Sequence, residues 1–236
     1  MKAILAATLF LFVGAAHADL LIGWNVTNMP GNQAFQPPAY LAENVSTGNI
    51  TRGAGLSAPS VTNTFTSASW TLTNNLNSAI AANDYLSFVI TAEAGYTLDL
   101  TNIAIGMSRQ STGPTNYTLR SSADGFTTDI ATWERTVVSA GFFVTDLDVS
   151  GLETVEFRLY GYGTGNNNAQ ARVAEMGGAG VNGSLDVVIY GSVVPEPGTV
   201  VLLGIGFGVL GTLRRRHRAD RPRHPMVDAD PHGTIL

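Results

Sequence analysis

The sequence predicts an all-β domain, an antiparallel β-sandwich of the jelly-roll-like kind, flanked by an N-terminal signal helix and a C-terminal transmembrane helix. Between residues 19 and 194 the chain is rich in Thr, Ser, Asn and Gly, and its apolar residues recur at short intervals between turn signals. Such spacing is typical of sandwiches made of many short strands. No apolar pattern of helical period and ordinary helix length interrupts this region.

Residues 1–18 have the features of a secretory signal peptide. A short basic start precedes an uncharged, mostly apolar run of thirteen residues, 3–15, which is short for a membrane span. Ala16 and Ala18 supply the small residues that a signal peptidase needs at its cleavage site. Cleavage after Ala18 would make Asp19 the mature N-terminus, so we expect an exported protein that signal peptidase processes.

The first third of the exported part gives few strand signals. Residues 20–24 form an apolar run that predicts a first strand, and residues 70–72 predict another short one. The stretch 27–68 is polar and interrupted by Pro30-Gly31 and Pro37-Pro38, so no strand can be placed there from the sequence.

Alternation is clearer further along the chain. In residues 85–91 it assigns Leu86, Phe88 and Ile90 to the core face, because side chains along a strand alternate between the two faces. The same argument assigns Val155, Phe157 and Leu159 to the core in a strand over residues 154–162. Further strands are predicted at 96–100, 103–107, 117–119, 142–149 and 185–190, and Asp124-Gly125 and the segment 177–180 are predicted as turn and flexible segment.

The composition of residues 19–194 excludes most catalytic chemistry. This region has no Cys, His or Lys, so it cannot form a Ser-His or Cys-His pair, a Schiff base or an ordinary zinc site. Its charged groups are six arginines and fourteen acidic residues, and such an acidic domain disfavours nucleic acid as a partner. We therefore predict no catalytic residues, no metal site and no cofactor, with a structural calcium ion as a minor alternative.

One polar cluster stands out as a candidate binding site. Arg109, Tyr117, Arg120 and Asp124 lie close in sequence, and we expect Arg109 or Arg120 to pair with Asp124 and fix the loop. A contact to a glycan or an anion is the functional alternative for the same residues.

Two further patterns have a weaker functional interpretation. Asp146 and Asp148 lie two apart on a predicted strand, hence on one face about 7 Å from each other, a separation that also suits an inverting glycosidase or a calcium site. Such acids usually face solvent. A set of aromatic residues would suit sugar stacking, although such residues more often belong to the core or its rim: Tyr117, Trp133, Tyr160 and Tyr162.

The C-terminal region contains the sequence signals that predict the cellular location of the protein. Pro195, Glu196 and Pro197 precede an uncharged run of sixteen residues, 198–213. As a helix this run would be roughly 24 Å long, slightly short of a hydrocarbon core of about 30 Å. A basic cluster follows that can reach the headgroups on the cytoplasmic side: Arg214, Arg215, Arg216 and Arg218. Residues 219–236 have no periodic apolar pattern and are predicted to be a disordered tail.

This tripartite end, over 195–218, resembles the sorting signal of PEP-CTERM proteins of Gram-negative bacteria. The resemblance implies recognition and processing by an exosortase, a transient anchor in the inner membrane, and delivery to the cell surface, outer envelope or exterior. Segments such as Leu119-Arg120-Ser121-Ser122-Ala123-Asp124-Gly125-Phe126 and Phe157-Arg158-Leu159-Tyr160-Gly161 also resemble the extracellular domain common on these proteins. That domain implies a jelly-roll-like sandwich and supplies no established catalytic residues.

Three functions remain open from the sequence. The first is a non-catalytic surface or matrix protein associated with exopolysaccharide or biofilm. The second is a carbohydrate-binding module on the same route, and the third a glycosidase that uses only carboxylates, such as Asp146 or Glu153.

Overall fold

A computed structural model describes residues 18–176 and 184–196 of the chain. The chain divides into two compact units, Met1–Val194 and Pro195–Leu236, and the fold below is that of the first. The predicted helices at 1–18 and 198–213, the segment 177–180 and the tail 219–236 lie mainly or wholly outside the described residues. Within those residues, no helix has both the length and the apolar character needed to cross a membrane.

The described part of the chain is mostly β-structure with one short helix. The strands are β1 (Asp19–Trp24), β2 (Pro30–Gly31), β3 (Tyr40–Leu41), β4 (Val45–Thr47), β5 (Ile50–Arg52), β6 (Thr64–Ser67), β7 (Tyr85–Ala92), β8 (Tyr96–Arg109), β9 (Asn116–Ser121), β10 (Ala131–Glu134), β11 (Gly141–Leu152), β12 (Thr154–Tyr162), β13 (Ala171–Ala174) and β14 (Val187–Pro195); the helix is α1 (Leu76–Ala82).

Two sheets contain these strands. The first sheet has the order β2-β6-β13-β8-β14-β1-β3, with β11 also paired to β8, and the second has the order β10-β9-β12-β7-β4, with β5 also paired to β7. Most pairs are antiparallel, as predicted, but β2 and β6 run parallel. The β-rich class is therefore confirmed; the first sheet is mixed, whereas the described pairs of the second sheet are all antiparallel.

Residues of both sheets share one hydrophobic core, so the sheets pack face to face. The second sheet contributes the two alternating sets that the sequence assigned to the core, and all six side chains are fully buried: Leu86, Phe88, Ile90, Val155, Phe157 and Leu159. From the first sheet, β8 contributes Ile103, Ile105 and Met107, which are equally buried. Burying one such side chain contributes roughly 1.5–3 kcal/mol, so this interface is the main source of stability.

The prediction of a strand at residues 70–72 is wrong. Trp70 is buried and its indole N–H donates to the carbonyl of Ser67 at 2.9 Å. Thr71 makes only an isolated bridge to Tyr162. The residues after it form α1, whose first amides are capped by the side chain of Asn75, while Asn83 ends it in the left-handed conformation.

The stretch 27–68 contains five short strands, β2 to β6, that the sequence did not reveal. Arg52, at the end of β5, ties this stretch together, because its guanidinium donates to the carbonyls of Gly31, Gln33 and Thr66, each at 2.7 Å. The same guanidinium lies 3.6 Å from the centre of the Phe65 ring. Burial lowers the pKa of Arg52 to about 10.

Candidate functional site

The last strand, β14, leads directly from the domain into the predicted sorting signal. It lies inside the first sheet, between β8 and β1. Near its end, Val193 packs against the core and the hydroxyl of Thr97 donates to the carbonyl of Val194 at 3.4 Å. Pro195 is the final strand residue, which suits an amino acid that has no N–H to donate. The strand therefore holds the chain in place as far as the first residues of the signal.

The two ends of the domain lie together. β1 begins at Asp19, the residue after the predicted signal-peptide cleavage site, and it pairs antiparallel with β14 so that Asp19 lies opposite Gly191. Gly191 permits a close approach to β8, because a Cβ there would lie 2.2 Å from the carbonyl oxygen of Asp99. The chain thus enters and leaves the fold at one end of the sandwich, which we call the tail-side end.

A groove lies beside the exit of β14. It has a volume of about 420 Å³, and its walls come from β1, β14 and the segment between β3 and β4. Leu20, Tyr40 and Val193 supply apolar surface, while Asp19 and Glu43 supply carboxylates. Tyr40 is 43% exposed, a large value for a tyrosine on a strand.

Carboxylates collect around the tail-side end. Glu43, Glu93 and Glu153 are all exposed and lie on neighbouring connections, since the amide of Glu93 donates to the Asn44 carbonyl and the amide of Ala92 donates to the Glu153 carbonyl, both at 2.8 Å. Further carboxylates at this end are those of Asp19 and Asp99. Within the described ranges, the strand registers place no arginine at this end.

The predicted cluster of Arg109, Tyr117, Arg120 and Asp124 does not form. Arg109 is 4% exposed, and its guanidinium donates to the carbonyls of Gly113, Ser111 and Thr136 at 2.7–2.8 Å. It lies at the far end of β8, opposite the tail-side end. Its role is to hold the loop backbone, because its buried guanidinium bonds the buried carbonyl of Gly113 and the partly buried carbonyls of Ser111 and Thr136.

Tyr117 is also buried rather than available to a ligand. Its ring packs 5.0 Å from the ring of Phe143, and its hydroxyl is buried without a hydrogen-bond partner among the described residues. Burial raises the pKa of Tyr117 well above its usual range, although the nearby positive charges of Arg109 and Arg135 act in the opposite direction. A buried neutral phenol beside two arginines is a core element.

Arg120 and Asp124 bond to other partners, so the expected pairing of Asp124 with an arginine is wrong. Arg120 forms an ion pair with Asp129, at 2.6 Å, and donates to the Phe126 carbonyl at 2.9 Å. Asp124 accepts the amides of Thr127 and Thr128, and the Thr128 hydrogen bonds lower the pKa of this carboxyl. As predicted, Asp124-Gly125 forms a turn, with Gly125 at φ +71°.

Asp146 and Asp148 lie exposed on the same face of β11, while Leu147 and Val149 point inward. The Asp146 carboxylate accepts the Asn102 amide group at 3.3 Å. Among the residues that the structure describes, no three acidic or other metal-binding side chains lie close enough to hold an ion.

The predicted aromatic platform is largely internal. Tyr160 and Tyr162 are 2% and 9% exposed and pack beneath α1. Trp133 is half-buried and stacks on Phe143 with ring centres 4.9 Å apart and planes 7° from parallel. Together with Tyr117, these residues form two buried clusters, which leaves little aromatic surface for a sugar.

Two buried aspartates were not predicted as important residues. Asp186 is 1% exposed and accepts the amides of Val26 and Met176, both at 2.8 Å, so it joins β1 to the segments before and after residues 177–183. Asp84 accepts the Thr71 hydroxyl at 2.6 Å. Burial raises the pKa of both carboxyls, and these hydrogen bonds act in the opposite direction. An acid beside an apolar strand run was the available sequence signal for Asp186.

Comparison with known proteins bears on the C-terminal region. A search of curated proteins gave no match. The family model described as the PEP-CTERM protein-sorting motif matches residues 193–218, which include Pro195-Glu196-Pro197 and the four arginines from Arg214 to Arg218. The match begins at Val193, which is at once a residue of β14 and part of the groove wall. The chain therefore carries a match to the PEP-CTERM protein-sorting motif, and this match begins on the last described strand of the β-rich unit.

Proposed function

We propose that this protein is a non-catalytic cell-surface or matrix component that an exosortase processes at its PEP-CTERM motif. The single observation that carries the proposal is the match at residues 193–218. The motif implies export, membrane-anchored processing and an exosortase as the processing partner. In this proposal, signal peptidase removes residues 1–18, the run 198–213 anchors the protein in the inner membrane, and processing near Pro195-Glu196-Pro197 releases the domain.

The described structure supports a passive role for the delivered domain. Its arginines mainly hold backbone carbonyls or form the ion pairs Arg120–Asp129 and Arg158–Glu156. Its aromatic side chains lie mostly in the core. With no His, Cys or Lys between residues 19 and 194, the domain has few groups for general acid–base or nucleophilic chemistry. The proposal therefore includes no cofactor, a jelly-roll-like arrangement of strands and an association with exopolysaccharide in a biofilm.

Mass spectrometry of the mature protein tests this function. In a Gram-negative host with an active exosortase, we expect a product that begins at Asp19 and lacks the residues after the motif. In the same host without the exosortase, the product should keep its C-terminus. Replacing Pro195, Glu196 and Pro197 with alanine should have the same effect, and replacing Gly180, Asn182 and Ser184 instead provides a control outside the motif. An intact C-terminus in the exosortase-containing host would contradict the proposal.

The surface role is tested separately from the sorting step. The purified domain, residues 19–194, should not release reducing ends from polysaccharides. Introducing Asp146→Asn and Glu153→Gln should leave that result unchanged. Release of reducing ends that disappears in these variants would instead indicate a glycosidase. Removal of the gene should alter the retention of exopolysaccharide at the cell surface, measured by staining and sedimentation, and no change there would contradict the matrix role.

A further inference from the structure

The tail-side end combines three features in one place. The groove of about 420 Å³ lies beside β14, its wall includes Val193, and Val193 is the first residue that the sorting motif covers. Exposed carboxylates surround the same end, whereas the arginines of the domain lie elsewhere. The first residues of the motif, Val193 to Pro195, are themselves part of β14.

The positions of acidic residues and arginines along the strands show that charge is unevenly distributed between the two ends of the domain. Glu93 and Glu153 lie in the turns that follow β7 and β11, which both end at the tail-side end, and Glu43 lies just before β4, which starts there. Arg109 and Arg172 are at the opposite end of the first sheet, where β8 ends and β13 pairs with it. Within the described residues, the carboxylates near the motif therefore lack a positively charged neighbour.

The groove adds an apolar contact to this charge. Tyr40 and Leu41, on the edge strand β3, are 43% and 40% exposed. Tyrosine is among the side chains that most often anchor protein interfaces, since its ring offers rigid apolar area and its hydroxyl a hydrogen bond. Specific interfaces commonly have an apolar centre inside a polar, solvent-accessible rim, and the groove has both kinds of surface in Tyr40 and Glu43.

We propose that the groove beside β14 and the surrounding carboxylates of Glu43, Glu93 and Glu153 form a docking surface for a basic extracytoplasmic face of the processing exosortase. This inference rests on the proposed function and adds a second contact, on the folded domain, to recognition of the motif. The charges speed encounter by electrostatic attraction, and Tyr40 provides the short-range contact.

A lipid surface fits the same end less well. Bacterial membranes expose anionic headgroups, and carboxylates without basic neighbours are repelled by such a surface. The charge at this end therefore favours a protein partner with positive potential over the bilayer itself.

The test compares processing rates of full-length variants in one exosortase-containing host. The rate is the half-time for loss of the C-terminal segment in a pulse-chase experiment. The triple variant Glu43→Gln, Glu93→Gln, Glu153→Gln should be processed about threefold more slowly, and the corresponding triple Lys variant about tenfold more slowly, because rim charges act mainly on the association rate. Tyr40→Ala should also slow processing, by about threefold.

Matched controls change the same kinds of side chain away from the tail-side end. Glu134→Gln, Asp146→Asn and Glu175→Gln remove three charges, and Leu72→Ala shortens another exposed apolar residue. Glu175 is half-buried and accepts the Thr27 hydroxyl at 3.1 Å, a hydrogen bond that the carbonyl oxygen of Gln can also accept. These controls should be processed at the native rate. Thermal unfolding of each purified domain checks that a slow variant is still folded.

The outcomes separate this inference from the proposed function. If the native chain itself is never shortened, the proposed function fails. If the native chain is shortened and the triple Lys variant matures equally fast or faster, the sorting function stands and the docking surface is ruled out. Equal slowing of the control and test triples also overturns the inference, because the effect would then come from net charge alone.

Discussion

The two ends of the β-sandwich use charged residues in opposite ways. At the tail-side end, the carboxylates of Glu43, Glu93 and Glu153 are exposed to water and stand apart from arginines. At the opposite end, Arg109 is buried and each of its donors faces a backbone carbonyl. The buried arginine is part of the fold, whereas the exposed carboxylates remain available to a partner. The difference shows that a charged residue contributes to stability mainly through the hydrogen bonds that it supplies to neighbouring groups, and less through its charge as such.

The largest effect on stability is expected at the arginine end. Arg109→Met should lower the free energy of unfolding by about 3 kcal/mol, because three loop carbonyls lose a charged donor and that of Gly113 stays buried without one. Urea denaturation of residues 19–194 measures this change. Arg120→Met serves as a control at an ion pair whose Asp129 partner is 44% exposed, and it should cost less, about 1 kcal/mol. Equal losses in the two variants would remove the distinction between the ends.

At the tail-side end, stability should depend on strand packing and not on charge. Gly191→Ala places a Cβ against the carbonyl of Asp99, which is backbone and cannot swing aside. We expect a loss of about 2–3 kcal/mol from the displacement of β14. Gly151→Ala is the matched control, since a Cβ there would meet no atom within 4 Å, although its φ of +71° carries a smaller conformational cost. A fully stable Gly191→Ala domain would show that β14 is not held as described.

The buried Asp186 should give a pH dependence of its own. Because the pKa of Asp186 is raised in the folded state, the folded protein binds a proton more readily than the unfolded one. The contribution of this carboxyl to stability therefore falls as the pH rises from the ordinary aspartate pKa, about 4, through the raised pKa of the folded state. The difference in unfolding free energy between the native domain and Asp186→Asn should shrink over that window. Asn also leaves one of two buried amides unpaired, costing about 1–3 kcal/mol. A pH-independent difference would contradict the raised pKa.

The smallest effect on stability is expected from the exposed carboxylates. Neutralising Glu43, Glu93 and Glu153 together should change the free energy of unfolding by less than about 0.5 kcal/mol, since exposed side chains outside special features rarely contribute more. Removing their mutual repulsion should slightly raise the free energy of unfolding. The thermal midpoint at low ionic strength measures this. A loss above 1 kcal/mol would place these residues among the structural charges and weaken the contrast.

Sequence reasoning predicted the regular strands well. β7 and β12 were located with their buried faces, because long alternating runs reflect the two faces of a strand directly. The strands between residues 27 and 68 escaped prediction since they are two to four residues long and depend on distant partners, such as the carbonyls that Arg52 bonds. Short strands gain their conformation from the sheet that they join.

Only the contiguous sequence motif of the candidate site could be predicted from the sequence. Pro195-Glu196-Pro197 is a contiguous signal, whereas the tail-side end requires knowing that β1 pairs with β14 from the other end of the chain. The expected polar cluster failed for a related reason. The prediction that Arg109 or Arg120 pairs with Asp124 depends on their nearness in sequence. An arginine in a sandwich can instead satisfy its donors with any carbonyl that the fold brings near.

The position of β14 has a consequence for biosynthesis. β14 is the last of the described strands but is internal in its sheet, so the gap between β1 and β8 stays open until the final part of the domain has crossed the membrane. Folding on the outer side must therefore wait for the end of translocation. A prematurely terminated chain would expose two unpaired strand edges, which are known templates for aggregation and proteolysis. Completion of the sheet therefore coincides with the arrival of only the first residues of the sorting motif, Val193 to Pro195.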